Sequence, residues 1–115
     1  MSFSSRRRSF RYALNGLFLL FTREPNFRLQ AIAAAVAVTA GLLRHISHLQ
    51  WLALIFAIGL VLITEALNTC IEKLCDFACD SKIHPAIKVI KDVAAAAVLI
   101  AAFVSIAIGL IIFFC

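Results

Sequence analysis

One stretch in the middle of the chain carries four polar side chains at helical spacing. An α-helix with 3.6 residues per turn would place them within about 80° of one another around its axis: Glu65, Asn68, Glu72 and Asp76. The stripe begins inside an apolar run, where an ionisable group is costly and usually faces a bundle interior or a polar cavity. Because three carboxylates with no basic residue on their face repel one another, a hard cation such as Mg²⁺ is the natural counterion.

Further charged residues stand beside apolar runs elsewhere in the chain. Glu24 precedes Pro25 at the start of one run, and Lys91 and Asp92 stand just before another. Acids that hold Mg²⁺, a lysine that meets phosphate and a carboxylate near lipid are the parts that phosphoryl transfer requires. No Walker A sequence and no protein-kinase motif occurs in the chain. A cation-binding transporter or channel subunit fits these residues nearly as well, and a structural membrane subunit is a third alternative.

The composition indicates a membrane protein. Of the 115 residues, 63% are hydrophobic and only 15% are charged, whereas a soluble domain carries roughly a quarter of charged residues. The stretches 29–43, 45–64 and 93–115 contain no formal charge, and a helix needs about 20 mostly apolar residues to cross ~30 Å of hydrocarbon. Because the runs are unbroken and do not alternate, membrane strands are disfavoured. We predict an all-α protein with three transmembrane helices, over about 27–44, 49–71 and 93–115.

The arginine-rich N-terminus resembles a twin-arginine export signal, since Arg7 and Arg8 precede an apolar stretch. A cleaved signal needs a small-residue cleavage site soon afterwards, and the chain instead continues into Arg23, Glu24 and Pro25. Apolar residues recur at helical spacing in between. We therefore predict an amphipathic helix over about 4–22 at the membrane surface, with its arginines toward anionic headgroups.

The distribution of basic residues predicts the orientation. With a cytoplasmic N-terminus, every Lys and Arg other than Arg44 lies on the cytoplasmic side of the membrane, in agreement with the positive-inside rule. The same topology places all carboxylates at or near that side. The net charge of +5 then follows from the topology, and since no nucleic-acid-binding motif accompanies it, we expect no nucleic-acid partner.

The order and spacing of these residues resemble the prokaryotic diacylglycerol kinase and undecaprenol kinase family. The chain reads E-A-L-N-T-C-I-E-K-L-C-D over 65–76 and, after an H-P pair, K-D-V-A-A-A-A-V-L over 91–99. The segments Y-A-L-N-G-L at 12–17 and E-P-N-F-R at 24–28 are also similar to the N-terminal region of that family. The likeness extends from about residue 10 to residue 112.

The resemblance implies a single integral membrane lipid kinase domain over 1–115. Members form homotrimeric bundles, with active sites between neighbouring chains at the cytoplasmic face of the bacterial plasma membrane. They transfer the γ-phosphate of ATP, with Mg²⁺, to the hydroxyl of diacylglycerol or undecaprenol, and the residues here do not distinguish the two lipids. Small residues at four-residue spacing in the first and third spans independently favour close helix packing.

The resemblance also implies a role for each site residue. Glu65 would be the general base that receives the proton of the lipid hydroxyl, and Glu24 and Glu72 would bind Mg²⁺ together with ATP. The nucleotide site would be completed by Asn68, Asp76, Lys91, Asp92 and Tyr12. Two alternatives stay open, because Asp92 could cap a helix start and Tyr12 could anchor the chain at the interface. We assign no adenine contact within the expected loop at 77–90.

Overall fold

The computed structural model describes residues 3–80, 82 and 84–115, and within these residues the secondary structure is entirely helical. Three of the helices, α2, α3 and α4, are long and apolar enough to cross a membrane. The prediction of an all-α membrane protein is confirmed at this level. The helices, in chain order, are α1 Phe3–Arg23, α2 Pro25–Arg44, α3 His48–Ala78 and α4 Pro85–Phe114.

A corner of one extended residue separates α1 from α2. Glu24 has an extended backbone with φ −114° and ψ 99°, and Pro25 occupies the first turn of α2, where its fixed φ suits a helix start. The guanidinium of Arg28 donates to the carbonyl oxygens of Phe21 and Thr22 at 3.1 and 3.0 Å. These bonds provide partners for carbonyls that the end of α1 would otherwise leave unpaired, and they hold the corner in place.

The connection between α2 and α3 is short and tightly capped. His45 adopts the left-handed region with φ 51°, and backbone bonds to the last turn of α2 close the helix. Ser47 and Gln50 then form a reciprocal capping box at the start of α3, with bonds of 3.2 and 2.9 Å. Gly41 allows this close return, because a Cβ there would lie 2.9 Å from Cη2 of Trp51.

Helices α3 and α4 form the most extensive packing interface of the described residues. Ala57 and Ala101 are among the most buried side chains in it, at 3% and 2% exposure. The hydroxyl of Ser105 donates to the carbonyl oxygen of Ala57 at 3.1 Å. Small side chains allow the two backbones to approach this closely, and the predicted stripe of small residues in the third span contributes Ala101 and Ser105 to the contact.

The two ends of the helix bundle carry different helix termini and different charged residues. At one end, the guanidinium of Arg44 donates to the carbonyl oxygen of Phe113 at 2.9 Å, which joins the C-terminal ends of α2 and α4. The opposite end therefore combines the start of α2, the start of α4 and the end of α3. We call this end, which carries Glu24, Asp76 and Asp92, the acidic end.

Two helices extend beyond the limits that hydropathy predicts. Helix α3 continues past 71 to Ala78, and α4 begins at Pro85 instead of near 93. The connection between them is thus shorter than the predicted loop, and residues 81 and 83 lie outside the described part of the chain. Hydropathy marks where the hydrocarbon ends, whereas local caps end a helix. One such cap is the Nδ1 atom of His84, which accepts from the backbone N–H of Ala86 at 3.2 Å.

Helix α2 packs on α3 and diverges from α4, which leaves an open groove of about 510 Å³ among the three helices. Ala33 and Ala37 of α2 line it on one side, and Gly109 of α4 on another. A Cβ on Gly109 would meet no atom within 4 Å. Part of the small-residue stripe therefore has no close neighbour among the described residues of this chain.

Candidate active site

The polar stripe lies on α3 at three depths. With a rise of 1.5 Å per residue, Glu65 lies about 26 Å along the axis from His48, Glu72 about 36 Å and Asp76 about 42 Å. A bilayer has about 30 Å of hydrocarbon. If the hydrocarbon begins near His48, Glu65 lies just inside its far boundary, and the other two carboxylates lie beyond it. With that placement, the stripe leads from the lipid into water.

Glu65 is the most enclosed carboxylate of the stripe. Its residue exposure is 5%, and Thr69, one turn further along α3, is also buried. The negative charges of Glu72 and Glu24 both act on Glu65 electrostatically. Acids from α3 and from the corner between α1 and α2 thus contribute to one negative region around a buried carboxylate.

The amide group of Asn68 forms a hydrogen bond through its nitrogen but none through its oxygen. Its Nδ2 atom donates to Oε1 of Glu72 at 3.3 Å. Its Oδ1 atom is buried and has no hydrogen-bond partner among the described residues. Leaving a buried acceptor unpaired costs about 1–3 kcal/mol, so the structure keeps an amide oxygen at the site without a partner of its own.

Lysines pair with the outer acids at the start of α4. Nζ of Lys91 lies 2.9 Å from Oδ1 of Asp76 and so joins α4 to α3. Nζ of Lys88 lies 2.6 Å from Oδ2 of Asp92, one helical turn away. Because α4 begins at Pro85, Asp92 is not at the helix start, and the alternative of a helix-start cap is wrong. Lys91 is also within the electrostatic reach of Glu72.

Lys73 is a site residue that the sequence does not single out. Its Nζ lies 3.1 Å from Oε1 of Glu24, and the Glu24 side chain is only 23% exposed. Lys73 lies off the face of α3 that carries the acids, but its long side chain reaches the corner between α1 and α2. The position of Lys73 next to Glu72 in the sequence does not predict this contact, because Glu24 lies in a distant part of the sequence.

Tyr12 lies apart from these contacts. It is 69% exposed on α1, and its side chain forms no hydrogen bond to another described residue. The structure brings Glu24, the α3 stripe and Lys91 toward one end of the bundle, whereas it leaves Tyr12 on the surface. Its nucleotide contact and its alternative as an interfacial anchor both stay predictions.

The donor atoms at the acidic end fit Mg²⁺. This cation prefers oxygen ligands and is usually held by one or two carboxylates together with water and phosphate oxygens. Glu24, Glu72 and the unpaired Oδ1 of Asn68 are all oxygen donors. Across residues 3–80, 82 and 84–115, the chain forms no group of three His, Cys, Asp or Glu side chains close enough to hold a metal. Two carboxylates, from Glu24 and Glu72, are the number that Mg²⁺ commonly uses alongside water and phosphate oxygens.

Comparison with known proteins identifies the family. A model of the prokaryotic diacylglycerol kinase family matches residues 11–113, a range that contains every candidate site residue. A diacylglycerol kinase of Synechocystis sp. is 36% identical over 101 residues, which cover 88% of this chain and 58% of that protein. An undecaprenol kinase of Bacillus subtilis is 39% identical over 106 residues, which cover 92% of this chain and 85% of that protein. The chain belongs to the prokaryotic diacylglycerol kinase family.

Proposed function

We propose that this protein transfers the γ-phosphate of ATP, in a Mg²⁺-dependent reaction, to the hydroxyl of a membrane lipid. The observation that carries the proposal is the position of Glu65, a buried carboxylate on a helix long enough to span a membrane, whose surroundings include Glu24 and Glu72. A lipid hydroxyl lies at about this depth, whereas ATP approaches from water. Membership of the family and the lipid kinases among the relatives support the same reaction class.

In this reaction Glu65 is the general base. Its carboxylate receives the proton of the lipid hydroxyl, the lipid oxygen forms a bond to the γ-phosphorus, and the bond from that phosphorus to the β-phosphate oxygen breaks to release ADP. A correctly placed base contributes about 10²–10⁴ to such a rate. Glu65 is the candidate because, among the carboxylates of the stripe, it lies nearest the lipid.

The remaining site residues serve the nucleotide. Glu24 and Glu72 would hold Mg²⁺, which supplies neutralisation of phosphate charge when bound. Asn68 positions Glu72 through its Nδ2 atom and offers Oδ1 as a further oxygen ligand. Lys91 stabilises negative charge on the phosphates. The nucleotide site is completed by Asp76, Asp92 and Tyr12.

We further propose that the active protein is a homotrimer in the bacterial plasma membrane, with its N-terminus and active site on the cytoplasmic side. Many large apolar side chains are exposed on the spans, and the groove of about 510 Å³ has an apolar lining. A neighbouring chain would cover part of this surface and help to enclose the site. The positive-inside distribution, with Arg44 at the far end of the bundle, supports the orientation.

The acceptor is either diacylglycerol or undecaprenol. The two relatives carry one name each, and both lipids present a terminal hydroxyl on an apolar body. Initial rates with the two lipids, measured side by side in the same mixed micelles, decide between them. A rate that favours one lipid clearly over the other assigns the substrate.

The central experiment follows labelled γ-phosphate from ATP into lipid, using purified full-length protein in detergent micelles. We expect transfer by the wild type with added Mg²⁺ and none after chelation. Asp80→Asn is a matched control, because Asp80 is an exposed acid in the left-handed turn after α3 and asparagine tolerates that conformation. Absence of transfer to both lipids, together with cation flux in liposomes without ATP consumption, would instead support a transporter or channel subunit.

A further inference from the structure

The ion pair between Lys73 and Glu24 joins two side chains of very different exposure. The side chain of Lys73 is 69% exposed, whereas that of Glu24 is only 23% exposed. The carboxylate is thus held at the corner between α1 and α2, and the ammonium reaches it from the surface on a flexible four-carbon stem. Because ion pairs with such an exposed partner are weak, Lys73 can leave Glu24 for a stronger anion.

Lys73 is close to both of the residues that we propose for Mg²⁺. Its ammonium lies 3.1 Å from Oε1 of Glu24, and it directly follows Glu72 in the sequence. Magnesium binds oxygen ligands at about 2.0–2.1 Å in octahedral geometry, so neighbouring ligands of one ion lie about 3 Å apart. A phosphate oxygen that shares a cation with Glu24 would therefore lie within reach of the ammonium that contacts Glu24.

The other paired lysines at the acidic end have partners that a cation held by Glu24 and Glu72 does not occupy. Nζ of Lys91 lies 2.9 Å from Oδ1 of Asp76. Nζ of Lys88 lies 2.6 Å from Oδ2 of Asp92. Among the lysines that the structure describes, Lys73 is the one whose partner is a proposed metal ligand. Binding of the cation together with a nucleotide would free this ammonium where phosphate charge arrives.

We propose that Lys73 is a phosphate-binding residue of the nucleotide site. Its ammonium pairs with Glu24 in the absence of nucleotide, and it moves to an oxygen of the β- or γ-phosphate when ATP binds with Mg²⁺. This role rests on the proposed function and adds to it a residue that determines nucleotide specificity. Because AMP has neither of these phosphates, Lys73 favours ATP over AMP.

A purely structural role for the ion pair predicts a different result. If Lys73 only fastens α3 to the corner between α1 and α2, its removal disturbs the site as a whole and weakens the binding of all nucleotides alike. A phosphate contact instead changes the affinity for ATP and leaves the affinity for AMP unchanged. The ratio of the two affinities therefore separates the two roles.

The experiment measures nucleotide binding by full-length protein in detergent micelles at saturating Mg²⁺, without acceptor lipid. Isothermal titration calorimetry gives the dissociation constants of AMP and of the β,γ-methylene analogue of ATP, which prevents turnover. We expect Lys73→Met to lose about three- to tenfold in affinity for the ATP analogue, since a charge-assisted hydrogen bond to phosphate is stronger than an exposed ion pair. The affinity for AMP should not change.

Two further variants serve as controls. Lys73→Arg keeps a cation that binds phosphate and should keep most of the preference for the ATP analogue. Lys82→Met removes an exposed lysine between α3 and α4 and should leave both affinities unchanged. A measurement on the wild type alone covers a variant that folds poorly: the ATP analogue with Mg²⁺ should protect Lys73 from acetylation, read by mass spectrometry, and AMP should not.

An unchanged ratio of affinities in Lys73→Met, an equal loss in Lys82→Met, or equal protection of Lys73 by AMP and the ATP analogue would overturn this role. Failure of the proposed function has a different signature. If the wild type shows the expected binding and protection but transfers no phosphate to lipid, the proposed function fails and the phosphate contact of Lys73 stands.

Discussion

The ammonium group of Lys73 lies 3.1 Å from Oε1 of Glu24, and this ion pair joins α3 to the corner between α1 and α2. Lys73 belongs to the helix that carries Glu65 and Glu72, but its side chain leaves their face. It neutralises one of the two carboxylates that we propose for Mg²⁺. A divalent cation bound at Glu24, as we propose, would therefore compete with this ammonium.

Lys73→Met should increase the affinity for divalent cations. The variant keeps the aliphatic bulk of the side chain and removes the competing charge. Since a largely exposed ion pair contributes about 0.2–1 kcal/mol, we expect a gain of up to about fivefold in the affinity for Mn²⁺, measured by electron paramagnetic resonance without ATP. Lys82→Met is the matched control for general charge removal. An equal gain in Mn²⁺ affinity in both variants would show that the ion pair with Glu24 does not determine this affinity.

Glu65→Gln should abolish lipid phosphorylation and preserve ATP binding. The amide matches the size of the carboxylate but cannot accept the hydroxyl proton, so the rate should fall by about 10²–10⁴. Binding of a fluorescent ATP analogue in the same micelles checks that the nucleotide site is intact. Loss of nucleotide binding in this variant would instead assign Glu65 to the metal site.

Asn68→Leu should affect thermal stability and nucleotide binding differently. The substitution removes a buried oxygen that has no partner among the described residues, so thermal stability should stay the same or rise. It also removes the bond from Nδ2 to Glu72, so Mg²⁺-dependent nucleotide binding should weaken. The two measurements are a thermal unfolding curve and an ATP titration with and without Mg²⁺. A parallel loss of stability and binding would indicate a purely structural role.

Gly41→Ala should destabilise the end of the bundle that carries Arg44. The new Cβ would lie 2.9 Å from Cη2 of Trp51, and because this ring is packed against α2, relief requires movement of the α2–α3 connection. Overpacking of this kind costs about 1–3 kcal/mol, visible as a lower unfolding temperature in detergent.

Gly59→Ala is the comparison for this substitution, because no atom lies within 4 Å of the corresponding Cβ. We expect it to keep or increase the unfolding temperature, since alanine favours helix. Replacement of Trp51 by leucine in the Gly41→Ala background should recover part of the lost stability. Equal effects of the two glycine substitutions would argue against the contact with Trp51.

The helical character of the chain and the polar stripe follow from local sequence. Unbroken apolar runs indicate spans, and the spacing of Glu65, Asn68 and Glu72 needs only the helical period to place them on one face. The bond between Asn68 and Glu72, one turn apart, is the contact that this spacing favours. These features are predictable because each depends on residues close together in the chain.

The lysines that pair with the acidic residues are harder to predict from the sequence. The contact between Glu24 and Lys73 depends on the direction in which the corner turns, and that direction is fixed by the bonds from Arg28 to Phe21 and Thr22. The pair of Lys91 and Asp76 depends on how far α3 and α4 extend beyond the hydrocarbon. Hydropathy gives no information about either, because capping and side-chain reach determine both.

The corner at Glu24 connects the surface of the bundle to the proposed site through very few residues. The same few residues end α1, begin α2 and present a carboxylate that pairs with α3. The attachment of helix α1 therefore coincides with one of the residues of the proposed metal site. A substitution that alters the end of α1 would also act on the carboxylate that pairs with Lys73.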